Sequence, residues 1–160
     1  MSLTIELPAQ YGYVFGTVTA IFFVNTYHSL LTGSYRKAAK VPYPICYASA
    51  EQAAKDPAAF QFNCAQRAHA NFVENLTPII ATLFIAGVKF PVLSASLGAA
   101  WAASRVLYAR GYTRNGPKGR FIFCEDSALT SRSGATHNLF ALALSILSGY
   151  TSYSFIKQLW

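Results

Sequence analysis

At 160 residues the chain is long enough for one domain and too short for two. It is 53% hydrophobic and 12% charged, with a net charge of +7 that would point to nucleic acid in a soluble protein. Here the basic residues flank long apolar runs, and that placement argues against nucleic acid as a partner; three distant cysteines, Cys46, Cys64 and Cys124, argue against a disulfide framework and show no metal-ligand spacing.

Met1 to Gln10 is a short polar lead. It has no basic residue before the apolar run and no clear small-residue cleavage site after it, which argues against a cleaved signal peptide. The first predicted span covers about 11–31, with tyrosines at the head and Tyr27, His28 and Tyr35 toward the far end. Between Glu6 and Arg36 no residue is charged and only His28 can titrate. A basic collar follows, Arg36, Lys37 and Lys40. Val41-Pro42-Tyr43-Pro44 cannot continue a helix, because proline lacks the amide donor and restrains the residue before it. A polar loop is expected to about Phe60, with a short helical turn around Glu51 to Lys55.

The second span covers about 63–89, with Pro78 inside it expected to kink or loosen one turn. Phe90-Pro91 makes a tight connection to a third span over about 92–112, whose first half is built of serine, glycine and alanine. Small side chains let helix backbones approach closely in lipid. Arg114 to Arg132 reads as a basic loop, and 134–159 as the fourth span, uncharged until Lys157. Each span approaches the roughly 20 residues that a membrane helix needs. The expected fold is all-α, one integral membrane domain over 1–160, an up-down-up-down four-helix bundle; a soluble all-helical protein with uniformly apolar core helices is the alternative. Basic residues crowd the two long loops and their flanking helix ends, leaving Lys89 and Lys157 for the other side. The positive-inside rule therefore places both loops in the cytosol.

Ionisable groups inside membrane helices are costly and mark candidate sites. At the entry of the second span, Arg67, Asn71, Glu74 and Pro78 recur at helical spacing and share one face. An ordinary ion pair of Arg67 with Glu74 explains the pattern equally well. In the third span Arg105, Tyr108 and Tyr112 share a stripe. Interfacial anchoring accounts for Tyr112 and Arg110 but less well for the deeper Arg105. Together the two faces offer cations, phenols and one carboxylate, with Arg36, Lys37 and Arg120 nearby. Such a pocket suits a small polyanion that also carries an amine: arginines would hold carboxylates, and Glu74 an ammonium. His69, alone, is expected to orient or pack. No catalytic triad, phosphate-cradling glycine loop or zinc spacing is present.

Three motifs carry a resemblance: Val41-Pro42-Tyr43-Pro44, the run Phe62 to Asn71, and Arg105-Val106-Leu107-Tyr108-Ala109-Arg110-Gly111-Tyr112. On these the chain resembles the membrane-associated proteins in eicosanoid and glutathione metabolism. That resemblance implies a homotrimer of four-helix subunits in the endoplasmic reticulum or the outer mitochondrial membrane. Glutathione would bind between neighbouring subunits near the cytosolic face, as co-substrate and without a metal. By matched position its contacts fall on Arg36, Arg67, Asn71, Glu74, Arg105, Tyr108 and Tyr112, and on His69 where some relatives carry glutamine. Asn75 stands where some have tyrosine. The arginine that activates the thiol is matched by Arg120, with Arg132 as rival, because 121–131 looks like an insert before the last span. The implied chemistry is glutathione transfer to an apolar electrophile, or reduction of a lipid hydroperoxide, either arriving from the bilayer. A non-enzymatic lipid-binding adaptor, a relative impaired by the insert and a channel-like bundle are the rival readings.

Overall fold

The structure is a computed structural model; it describes residues 6–121 and 136–159, and side chains throughout these except at Lys118, Arg120, Phe121 and Leu159. The described residues form five α-helices: α1 (Gly12–Ala38), α2 (Ala50–Lys55), α3 (Pro57–Gly87), α4 (Pro91–Asn115) and α5 (Thr136–Ile156). No strand occurs among the described residues. The four long helices form the expected membrane bundle. α3 and α4 make its central pair, with α1 packed against both and α5 packed against both.

At 1.5 Å per residue, α1 is about 40 Å long and α5 about 32 Å, against a hydrocarbon core of about 30 Å. α1 with its leading 3-10 turn, α3 and α5 are apolar enough to cross a membrane. α4 is not among the helices that meet this criterion. Much of its polarity is turned inward: Ser94, Ser104 and Arg105 are buried in the bundle. A helix packed against three others can carry such residues where a lipid-facing one cannot.

The helix ends follow from local chemistry. Ser49 caps α2 through Gln52 N. Asp56 caps α3, its carboxylate accepting from Ala58 N at 2.9 Å, and Pro57 takes the first position, where no amide donor is needed. These caps start α3 six residues before the predicted 63. Helical structure runs on through Pro78 without a break. The missing donor removes one ladder bond, and packing on α1 and α4 keeps the helix whole. Gly116, at φ +64° and ψ −154°, ends α4 in a conformation essentially reserved for glycine. The chain then turns through a 3-10 segment, Gly116–Phe121.

The core gathers Val14, Val18, Ile21, Phe72, Ile79, Leu83, Trp101 and Leu144 from all four long helices. Glycines permit the closest crossings. A Cβ on Gly98 would lie 2.9 Å from Thr17 Cγ2 and 3.2 Å from both Leu83 methyls. The Thr17 hydroxyl lies 3.3 Å from the Ala95 carbonyl and 2.9 Å from that of Tyr13, which ties α1 to α4. Tyr11, the last residue of the 3-10 turn before α1, donates to the Phe84 carbonyl at 2.9 Å and so ties that turn to α3.

Candidate functional site

Arg67 and Glu74 lie two turns apart on α3 and meet at 2.9 Å, about half exposed on each side. Asn71, between them on the same face, turns toward α4. Its Oδ1 accepts from Arg105 Nη2 at 2.9 Å. Arg105 has no exposed surface. Its guanidinium lies 4.5 Å from the Tyr108 ring centre and 5.9 Å from that of Trp101, so aromatic faces shield it on two sides. Tyr108 stacks on Tyr112 at 5.5 Å, and the His137 ring of α5 meets Tyr108 edge-on at the same distance. Arg67, Asn71, Glu74, Arg105, Tyr108 and Tyr112 therefore form one connected group on α3 and α4, closed on one side by the start of α5.

Two expected members lie elsewhere. His69 is two residues beyond Arg67, about 200° round the helix. It is half-buried toward α1, its ring 6.0 Å from that of His28. Arg36 is buried at the end of α1, 4.6 Å from the Phe62 ring and 4.4 Å from the Tyr43 ring, and donates to the Ile45 carbonyl. It clamps the 39–49 loop of its own chain and does not enter the patch. Asn63 clamps the same loop, accepting from Ala48 N at 2.8 Å and donating to Ala48 O at 3.0 Å. Asn75 turns to its own helix, donating to the Asn71 carbonyl at 2.8 Å. Arg120 belongs to the 3-10 turn that follows Gly116. Arg132, and the proposed insert beyond Phe121, lie outside the described residues.

The pattern in the sequence missed an interior partner set. His28 stacks on Phe72 at 4.6 Å, and Phe72 packs on Trp101 at 5.5 Å. This column backs Arg105. The hint available was His28, the single titratable residue in the first apolar run. Arg105 Nε and Nη1, Trp101 Nε1 and His28 Nε2 have no hydrogen-bond partner among the described residues. No group of three histidine, cysteine or acidic residues there could hold a metal.

An all-helical membrane protein is thus defined, with a cationic, tyrosine-bearing patch at one end of its central helix pair. A family model, the MAPEG family, matches residues 14–124, more than half of the chain. The chain belongs to that family. It is an integral membrane protein of the group concerned with glutathione and eicosanoid metabolism, and the match takes in every helix that builds the patch except α5.

Proposed function

We propose that the protein is a membrane glutathione transferase with peroxidase capacity, which looks most like the microsomal glutathione transferase of type 3. The observation that carries this is the convergence of Arg67, Asn71 and Glu74 of α3 with Tyr108 and Tyr112 of α4. An adaptor that only holds fatty acid has no need of a polyanion-binding patch. Glutathione is a tripeptide with two carboxylates, one ammonium and a thiol. Arg67 holds a carboxylate and Glu74 the ammonium, their own ion pair opening to admit the ligand. Because that pair is half exposed, opening it costs little, about 0–1 kcal/mol. Arg105, fully buried, serves the ligand by fixing Asn71 and Tyr108. Arg36 serves only if a neighbouring subunit brings it to the patch, which fits glutathione bound between subunits of a homotrimer. His69 packs and does not touch the ligand.

A free thiol titrates near pH 8.5, and the thiolate is the nucleophile. Arg120, in the turn that follows α4, stabilises that thiolate; each pKa unit of lowering corresponds to about 1.4 kcal/mol. In transfer, sulfur bonds to the electrophilic carbon as its leaving group departs. In reduction, two glutathiones convert a hydroperoxide to alcohol and water and end as the disulfide. The apolar partner enters from the bilayer. With the basic loops facing the cytosol, the patch meets cytosolic glutathione at the membrane of the endoplasmic reticulum.

Thiol consumption by the purified oligomer, given glutathione with a generic electrophile or a lipid hydroperoxide, tests the reading. Arg120→Ala should abolish turnover and keep glutathione binding. Full turnover in that variant moves the role to Arg132 or ends the mechanism. Binding without consumption in the unaltered protein would mean an impaired relative, and no binding would favour the adaptor.

A further inference from the structure

A second cationic cleft lies at the same end of the bundle, on the other flank of α4. It has a volume of about 440 Å³ and is lined by Tyr27, Leu31 and Tyr35 of α1 and by Arg110, Thr113 and Arg114 of α4. We propose that this cleft binds the phosphate of an anionic phospholipid, one per subunit.

Both arginines are exposed and one helical turn apart. Arg110 Nε donates to the Tyr27 hydroxyl at 3.1 Å, and its guanidinium lies 5.7 Å from the Tyr27 ring centre. Tyr27 therefore fixes the plane of Arg110, whose terminal nitrogens have no partner among the described residues. Arg114 has no hydrogen bond or ion pair among the described residues. Nor does any described carboxylate neutralise either cation: Glu74 is engaged by Arg67, Glu51 by Lys55, Asp56 caps α3, and Glu6 lies at the opposite end of α1. Two guanidiniums whose terminal donors have no partner among the described residues, set at a membrane–water boundary between tyrosines, match a phosphate whose negative charge no headgroup cation offsets. Basic pockets between membrane helices are suited to such headgroups.

The rest of the α1–α4 seam fits the remainder of a lipid. Leu31 lines the cleft, and down the same seam a wider groove of about 720 Å³ runs between the two helices, walled by Gly16, Ala20, Ala95 and Ala99. From Leu31 to Ala20 is about 17 Å along α1, close to the half-thickness of the hydrocarbon core, about 15 Å. An acyl chain hanging from a headgroup at Arg110 and Arg114 reaches the near edge of that groove. The cleft is separate from the proposed glutathione patch, since Arg110 and Arg114 face α1 whereas Tyr108 faces α5.

Native mass spectrometry of the full-length, detergent-purified oligomer, titrated with dioleoyl phosphatidate and separately with dioleoyl phosphatidylcholine, tests this. Phosphatidate should saturate at one per subunit and bind at least about tenfold more tightly than phosphatidylcholine. Arg110→Gln with Arg114→Gln should weaken phosphatidate about tenfold or more, leaving thiol turnover and oligomer mass unchanged. Tyr27→Phe, a smaller change, should weaken it a few-fold. Arg67→Gln should leave lipid binding as it is, which separates this cleft from the glutathione patch. Equal retention of the two lipids, or undiminished phosphatidate binding by the double variant, overturns the proposal. So does displacement of phosphatidate by inorganic phosphate at matched concentration, which would mark a site for the free ion.

Discussion

Arg105 is a guanidinium with no exposed surface, and its one described hydrogen bond goes to Asn71 across the α3–α4 interface. Removing the acceptor strands a buried charge. Asn71→Leu should therefore destabilise the protein by about 1.5–3 kcal/mol, read as a lowered melting temperature in detergent, and should also raise the glutathione half-saturation. Arg67 is the contrasting case. Its partner Glu74 is half exposed, so Arg67→Ala should change stability by less than about 1 kcal/mol while raising half-saturation for glutathione several-fold. Melting curves and saturation curves on the same two variants separate the residue that builds the patch from the one that meets ligand. The helical spacing of Arg67, Asn71 and Glu74 was readable along the chain. The pairing of Asn71 with Arg105 was not, because it joins residues 34 positions apart through the approach of two helices.

Helix ends and helix crossings hold the patch in place. Gly116 stops α4 in a backbone region closed to other residues, and a Cβ there would also lie 3.0 Å from the Phe60 ring. Gly116→Ala should cost about 1–3 kcal/mol and lower turnover more than glutathione binding, since it re-aims the turn that carries Arg120. At Gly98 an added methyl meets Thr17, whose hydroxyl is committed between two carbonyls and whose branched side chain has few alternatives. Gly98→Val should destabilise by about 1–3 kcal/mol, checked by thermal unfolding, with no change in glutathione affinity for the fraction that stays folded. The run of serine, alanine and glycine in α4 announced a close-packed face. Which neighbours it would meet, α1 through Thr17 and α3 through Leu83, is a matter of crossing geometry that composition does not contain.

At the scale of the whole molecule, the proposed homotrimer makes its own demand on the site. Arg36 is tied within its own chain, by the Phe62 and Tyr43 rings and the Ile45 carbonyl. On the homotrimer reading, detergent that splits the assembly should abolish the calorimetric signal of glutathione binding while helix content by circular dichroism stays unchanged. Retained binding by separated subunits would remove Arg36 and the subunit boundary from the site.

Long uncharged runs, basic collars and the motifs around Arg67 and Tyr108 determined by themselves that this is a helical membrane protein of the MAPEG family. They do so because lipid forces hydrogen bonds inward and charge to the boundaries, constraints written residue by residue. The burial of Arg105 behind Tyr108, the turning of His69 toward α1 and the separate cleft at Arg110 were decided only by tertiary structure. Each depends on how four helices rotate about their own axes when packed, and that rotation is set by side chains meeting across helices, not by spacing along one.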